Sequence, residues 1–115
     1  MKFNVEKKLK IINEIMSFCY HLNSTDINVN VKTIENTSVI LIKAKIENLS
    51  DETLMNLTQT LNIPRQHEVE QYYWHLGGNN EFDSELSLVG MMVDSATISY
   101  DNNILVIELK RIENY

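Results

Sequence analysis

Proline, cysteine, glycine and long apolar runs are all scarce in this chain of 115 residues. The single cysteine, Cys19, excludes a disulfide within the chain, and no apolar run reaches the roughly 20 residues that a membrane-spanning helix needs. The charged N-terminal segment, MKFNVEKKLK, lacks the apolar centre of a signal peptide. These absences predict a cytoplasmic protein that does not associate with membranes.

Basic residues are scarce as well, because ten Lys and Arg stand against sixteen Asp and Glu, which gives a net charge of −6. The imbalance lies in the second part of the chain: residues 1–50 carry +2 and residues 51–115 carry −8. A nucleic-acid-binding surface needs clustered cations, and only Lys7, Lys8 and Lys10 form a cluster. We therefore expect no nucleic-acid partner. The length predicts one two-layer core, so residues 1–115 are expected to form a single domain.

Apolar residues recur at helical spacing at the start of the chain and again after residue 50. Residues 4–22 are predicted to form an amphipathic helix, whose apolar stripe is Val5, Leu9, Ile12, Met16 and Cys19. Ser50 is predicted to cap the N-terminus of a second helix, which ends at Ile63-Pro64.

Two more helices are predicted in the acidic part of the chain. The third covers roughly residues 66 to 76 and is closed by Gly77-Gly78. The fourth lies within the stretch SELSLVGMMVD, residues 84 to 94, with Asp83 as its cap. Its inward-facing residues are predicted to be Leu86, Val89 and Val93.

Alternation of apolar and polar residues predicts four strands. The first includes Ile27, Val29 and Val31, and the second covers residues 38 to 47. Two further strands form a hairpin around Asp101-Asn102-Asn103; their inward residues are Ala96, Ile98, Tyr100, Leu105, Ile107 and Leu109. The order α-β-β-α-α-α-β-β predicts an α+β two-layer sandwich, in which helices cover one face of a four-stranded sheet.

Apolar side chains on the other face of the predicted sheet are candidates for an interaction surface. These are Val39, Leu41, Ile104 and Val106, which a partner chain could partly cover. Trp74 and His75 are further interaction candidates, because helical spacing directs Tyr72 and Tyr73 toward the core and leaves Trp74 beside His75. Simple packing of Trp74 remains an equal alternative.

Residues that would suggest catalysis or metal binding do not complete a site. The segment His67-Glu68-Val69-Glu70-Gln71 begins like a zinc-protease helix, but Gln71 stands where the second histidine is required. His67 and His75 would be separated by a rise of roughly 12 Å along a helix, which is too far for one metal ion. Cys19 lies on an apolar stripe, where a thiol is inert. We expect no catalytic residue, no metal and no cofactor.

The element order and local patterns resemble the ATP-binding domain of histidine kinases, in the superfamily shared with gyrase and the mismatch-repair ATPases. The segment Ile11-Ile12-Asn13-Glu14-Ile15-Met16-Ser17 looks like the family's first helix. Residues 39–57 look like its strand, loop and second helix, and residues 86–110 look like its last helix and hairpin. The resemblance covers nearly the whole chain and implies a histidine-kinase-type ATPase fold.

The nucleotide-binding positions of that family are altered in this chain. Ser17 stands where the family places the second asparagine that holds magnesium, and a hydroxyl is a poorer ligand. The loop around Asn48 lacks the family's adenine-binding aspartate and glycines. Glu85 and Ser87, in Glu85-Leu86-Ser87-Leu88, stand where Gly-Leu-Gly-Leu would hold phosphate at a helix N-terminus. The resemblance therefore implies a degenerate domain that does not bind ATP usefully.

Three functions follow as hypotheses. The first is a non-catalytic bacterial regulatory module that binds a signalling protein; bacterial phosphotransferases resemble it in keeping such a degenerate domain, but this chain has no room for their helical hairpin. The second is an enzyme or a weak nucleotide-binding protein, which would require surviving ATP chemistry near Ser17, Asn48 or Glu85, or a site that the sequence does not reveal. The third is a small acidic α+β binding protein of an unrelated family that acts as a homodimer.

Overall fold

The computed structural model describes residues 2–66, 68 and 82–113, and of residues 2, 3 and 82–85 it describes the backbone. The helices are α1 (Lys2–His21), α2 (Asp51–Leu61) and α3 (Phe82–Met91). The strands are β1 (Ile27–Ile34), β2 (Thr37–Lys45), β3 (Ser95–Asp101) and β4 (Ile104–Ile112). The predicted α+β class is confirmed, and the described order is α-β-β-α-α-β-β. The helix predicted over residues 66 to 76 lies outside the described residues, apart from Gln66 and Glu68.

The four strands form one antiparallel sheet in the order β1-β2-β4-β3. The predicted hairpin around Asp101-Asn102-Asn103 is present, β1 and β2 form a second hairpin, and β2 pairs with β4 at the centre of the sheet. Asn102 and Asn103 form the second turn with φ angles of 53° and 64°. Asparagine tolerates this left-handed conformation better than most residues, which is why two adjacent asparagines favour a tight hairpin there.

The helices cover one face of the sheet, because burial alternates strictly along the two central strands. The buried side chains of β2 are Ser38, Ile40, Ile42 and Ala44, and those of β4 are Leu105, Ile107, Leu109 and Arg111. Helix residues complete the core from above, chiefly Ile11, Ile15, Cys19, Leu57, Leu61, Leu88, Val89 and Met92. This arrangement confirms a layer of helices on a four-stranded sheet.

The buried stripe of α1 differs from the predicted one. Ile11, Ile15 and Cys19 are fully buried, whereas Val5 and Leu9 are 55% and 58% exposed. The apolar arc of the helix is therefore wider than the surface it packs against. The prediction that Val5 and Leu9 belong to the core is wrong, and the structure leaves both on a flank of α1.

Gly90 allows α2 and α3 to cross closely. A Cβ atom at this position would lie 2.3 Å from the carbonyl oxygen of Thr60 and 2.8 Å from a side-chain carbon of Ile63. Neither distance is possible for a real side chain, so only glycine fits at the crossing. The predicted inward residues Val89 and Val93 are buried, and Leu86 is half-buried.

The predicted start of the last helix is corrected by the structure. Ser50 caps α2 as predicted, with its hydroxyl accepting a hydrogen bond from the Thr53 amide at 3.0 Å. Helix α3, by contrast, begins at Phe82, so Asp83 lies inside its first turn and not at the capping position.

None of the helices in the described part of the chain has the length and apolar character needed to cross a membrane.

Candidate functional site: the outer face of the sheet

The face of the sheet that the helices leave uncovered carries a mixed apolar and basic surface, which we call the outer face. Alternation places Val39 and Leu41 of β2 and Ile104 and Val106 of β4 on it, and all four are half-buried. The sequence prediction placed these four residues on this face, and the structure confirms that position. Whether a partner covers them stays a prediction.

Cross-strand neighbours place lysines beside these apolar side chains. Val39 pairs with Lys32 on one side and Lys110 on the other, and Lys43 pairs with Val106. Side chains that are directly opposite in an antiparallel sheet are about 5 Å apart at Cβ, so each aliphatic group has a charged neighbour. The apolar groups are thus set among long cationic side chains.

The charge of the outer face is opposite in sign to that of the whole chain. Its strands carry the exposed lysines 32, 43, 45 and 110 against Glu108 and Asp101. The chain as a whole carries −6. Because lysines predominate on the outer face although the whole chain is acidic, this face would attract an acidic surface and repel a basic one.

A shallow hollow lies at the β1–β2 side of the outer face. Its volume is about 520 Å³, and it is lined by Asn28, Val29, Asn30, Lys32, Leu41 and Lys43. Leu41 provides an apolar floor, while the amides and ammonium groups can donate hydrogen bonds from the rim. The hollow can therefore receive a side chain from a protein partner.

The four altered nucleotide positions lie on three elements: α1, the loop after β2, and α3. Ser17 is half-buried on α1 and Ser87 is half-buried on α3, and Asn48 is exposed in the loop after β2 with φ of 60°. Asn48 lines a hollow of about 350 Å³ together with Leu22, Asn23, Thr25, Lys45 and Glu47. Ser17 and Ser87 do not line this hollow.

A further hollow lies between α1, α2 and α3. It is smaller than the other two hollows, and its lining is partly apolar. Its volume is about 220 Å³, and its lining comes from Phe18, Thr53, Asn56, Leu57, Thr60 and Leu86. Small-molecule sites are usually about 300–1,000 Å³, so this hollow is small for a nucleotide. It shares no lining residue with the hollow at Asn48.

Helix α3 uses its backbone amides differently from a phosphate-binding helix. Only the first four N–H groups of a helix lack partners within it. Because α3 begins at Phe82, these groups belong to residues 82–85, and the Ser87 amide lies beyond them. The side chain of Glu85 is not among the described ones.

The interaction candidates Trp74 and His75 also lie outside the described residues.

A buried ionic network joins α1, β2 and the end of β4, and sequence reasoning missed it. The Glu113 carboxylate accepts hydrogen bonds from Ser38 Oγ at 2.6 Å and Arg111 Nε at 2.9 Å, and lies 3.3 Å from Lys8 Nζ. Arg111 is fully buried and also donates to the Met92 carbonyl at 2.6 Å. Continuing the alternation of β2 and β4 to these residues would have placed Ser38 and Arg111 inward.

Two titratable groups in the core have shifted pKa values. Burial alone would raise the pKa of Glu113, but hydrogen bonds from Ser38 and Arg111, the charge of Arg111 and the Lys8 ammonium lower it below its ordinary value of 4.5. Burial raises the pKa of the Cys19 thiol to about 11. Cys19 is therefore an unreactive core residue, as its position on an apolar stripe predicted.

Among residues 2–66, 68 and 82–113, no three His, Cys, Asp or Glu side chains are grouped to hold a metal ion.

No protein-family model matches the sequence, and no curated protein sequence is significantly similar to it.

Proposed function

We propose that this chain is a non-catalytic regulatory module that binds a signalling protein through the outer face of its sheet. Its scaffold is a degenerate form of the histidine-kinase-type ATPase fold. The observation that carries the proposal is the half-buried group of Val39, Leu41, Ile104 and Val106, which lies among exposed lysines on an otherwise acidic chain. Apolar groups bordered by polar and charged residues are typical of specific protein interfaces.

The partner is an acidic protein surface with at least one protruding apolar side chain. Lys32, Lys43 and Lys110 supply the attraction, and Leu41 at the floor of the hollow supplies the apolar contact. A nucleic acid is a poorer match, because its regularly spaced phosphates would pass Glu108, which lies directly opposite Leu41, whereas a protein can present a neutral or basic side chain at that point.

ATP is not the ligand of this module. An α3 that begins at Phe82 uses the Ser87 amide within the helix, and the hollow between the helices is lined by Phe18, Leu57 and Leu86. Glu85 adds a carboxylate to the part of the helix where the family binds phosphate. Two like charges about 4 Å apart repel by roughly 1 kcal/mol even in water. These features support a regulatory role by contact and not by catalysis.

The absence of ATP binding is tested by calorimetry and by thermal denaturation with Mg-ATP and Mg-ADP at millimolar concentration. We expect no heat of binding and a change in Tm within the error of the measurement. A saturable signal that weakens in a Ser87→Glu variant would show that nucleotide still binds beside α3, and the second hypothesis would replace this one.

The outer face is tested with a photo-crosslinking amino acid placed at Lys43, which is exposed beside the hollow. The matched control carries the same group at Gln59, which is exposed on α2. We expect an acidic protein from the native cells to crosslink at position 43, and the yield to fall at least tenfold with Leu41→Asp. Equal yields from positions 43 and 59 would contradict the proposal.

A further inference from the structure

Strand β1 is an edge strand of the sheet formed by the described residues, and it presents an uninterrupted row of backbone groups on its outer side. The amide of Lys45 donates to the Asp26 carbonyl at 2.9 Å, so these opposite residues form a hydrogen-bonded pair. Such pairs alternate along an antiparallel ladder. Even-numbered residues of β1 therefore bond to β2, and Ile27, Val29, Val31 and Thr33 direct their N–H and C=O groups outward.

Apart from Lys32, strand β1 itself carries none of the features that usually protect an edge strand from pairing with another strand. Strand β1 is eight residues long, contains no proline, and keeps an unbroken register with β2 from Ile27 to Ile34. Its one charged side chain, Lys32, lies on the outer face. Natural edge strands are usually short, bulged or interrupted by proline or inward-pointing charges. Strand β1 is therefore suited to pair with a further strand.

The helical layer also stops short of β1. Val29 and Val31 point to the same side as the fully buried Ile42 and Ile40, with which they pair, yet they are 37% and 43% exposed. The core side of β1 is thus left partly open to solvent, and no helix of the described residues (2–66, 68 and 82–113) covers these two valines completely.

The flank of α1 nearest to β1 is apolar as well. Lys8 of α1 reaches β1, where its Nζ lies 3.2 Å from Thr33 Oγ1, whereas Phe18 faces the hollow between the helices. At 100° per residue, Val5 and Leu9 lie beyond Lys8 and away from Phe18. Both are exposed, and the contact of Lys8 with Thr33 puts this flank on the same side of α1 as β1.

We propose that β1 pairs antiparallel with β1 of a second copy, with Asn30 opposite its own equivalent, to form a continuous eight-stranded sheet. A twofold axis perpendicular to the sheet relates the two copies, so both helical layers lie on the same side. The flanks that carry Val5 and Leu9 then face each other above the seam. The exposed valines, the α1 flank and the open backbone groups are buried together.

A second copy is the occupant because β1 is complementary to itself. With Asn30 at the axis, Val29 lies opposite Val31 of the other copy, so apolar side chains meet on the core side. Lys32 lies opposite Asn28, so no like charges are adjacent. A register shifted by one residue would pair outward-directed groups with groups already bonded to β2, and is excluded.

The mass in solution tests the pairing. Sedimentation equilibrium of the full chain should give twice 13.4 kDa. Val31→Pro removes an N–H that points outward and is not bonded to β2, so we expect a folded variant with half the wild-type mass. Ala96→Pro is the matched control, since it removes an outward N–H from β3 at the opposite edge and should keep the doubled mass. A wild-type chain of 13.4 kDa at 1 mM, or a folded Val31→Pro variant of doubled mass, overturns the proposal.

A disulfide tests the register independently of whether the proline variant folds. Non-hydrogen-bonded opposite residues have Cα atoms about 4.5 Å apart, which a disulfide can span. Asn30→Cys should therefore form a covalent dimer on mild oxidation, with at least tenfold greater yield than Asn28→Cys, whose equivalents are several residues apart. Equal yields at positions 28 and 30 would contradict the register, and an extended peptide from another protein would then be the occupant of this edge.

Discussion

The two edges of the sheet differ in how they are covered, although both belong to the same antiparallel ladder. At the β3 edge, Ala96, Ile98 and Tyr100 are half-buried, and α2 packs against the strand. At the β1 edge, Val29 and Val31 hold the equivalent inward positions and are exposed. The helical layer is therefore displaced toward β3. Within the described residues, the chain therefore covers the inner face of the sheet at the β3 edge and leaves it largely exposed at the β1 edge.

The β3 edge is also fixed by a specific hydrogen-bonding centre. Tyr100 donates its hydroxyl to the Ile46 carbonyl at 2.6 Å and accepts from the Leu49 amide at 3.3 Å. One side chain thus ties the edge strand to the loop that leads into α2. At the β1 edge the corresponding contact is made by Lys8, whose ammonium group donates to the Thr33 hydroxyl and also forms an ion pair with Glu113.

The largest effect is expected from Gly90→Ala, which would break the cover over β3. The new Cβ would lie 2.3 Å from the Thr60 carbonyl oxygen, so α2 must move away from α3. We expect a loss of about 3 kcal/mol in the free energy of unfolding, measured by urea denaturation. Gln59→Ala, at an exposed position of α2, is the control and should change stability by less than about 0.5 kcal/mol. A Gly90→Ala variant as stable as the control would contradict the close crossing.

Acid should weaken the β1 side through Glu113. Its pKa is lowered in the folded chain, so its charged form stabilises the fold above pH 4.5, and this contribution is lost as the pH falls through the lowered pKa. Glu113→Gln should cost about 2 kcal/mol at pH 7, because hydrogen bonds to a charged group are lost, and should flatten the decline of stability below pH 4.5. Urea midpoints between pH 7 and pH 3 measure both effects. An unchanged decline in the variant would show that Glu113 is not responsible.

Tyr100→Phe should have a smaller effect, confined to the β3 edge. The substitution leaves the Ile46 carbonyl and the Leu49 amide without this partner and changes little of the packing. We expect a loss of about 1 kcal/mol. Tyr20→Phe is a control at an exposed site on α1 and should be neutral. If the two variants were equally stable, the tie at Tyr100 would not contribute.

The smallest effect is expected at the open edge. Val29→Thr keeps the size and β-propensity of the side chain, and because Val29 is 37% exposed its hydroxyl can reach water. In dilute solution, we expect a change below about 0.5 kcal/mol. The same substitution at Val93, which is 2% exposed, should cost about 1–3 kcal/mol, because it buries a hydroxyl. Equal costs at both sites would show that β1 is covered after all.

Hydrophobic periodicity was sufficient to predict the described helices and strands, because each one except β1 buries a single face, and β1 keeps the alternation although its side chains are largely exposed. The double asparagine at 102–103 and the N-cap at Ser50 were also predictable, since both depend on local backbone preferences. The error at Val5 and Leu9 has a physical cause. Periodicity shows which side chains are apolar, but it does not show how wide a surface the neighbouring elements offer.

The candidate site was predictable only in part. Alternation placed Val39 and Leu41 on the outer face, but the lysines that surround them come from β1, β2 and β4, and their proximity depends on strand order. The Glu113 network joins residues 75 positions apart. Long-range pairing of this kind has no signal in the local sequence. The histidine-kinase-type resemblance and the signalling role remain proposals.

Cys19 gives the unmodified chain a built-in reporter of its own opening. The sequence holds one thiol, which is fully buried and whose pKa is raised to about 11. An alkylating reagent can therefore react with it only in molecules in which the core around Cys19 has opened. The rate of modification therefore follows the population of open molecules, without an added label. If assembly through β1 stabilises the folded chain, that rate will fall as the protein concentration rises. Mass-spectrometric time courses at several protein concentrations measure this dependence.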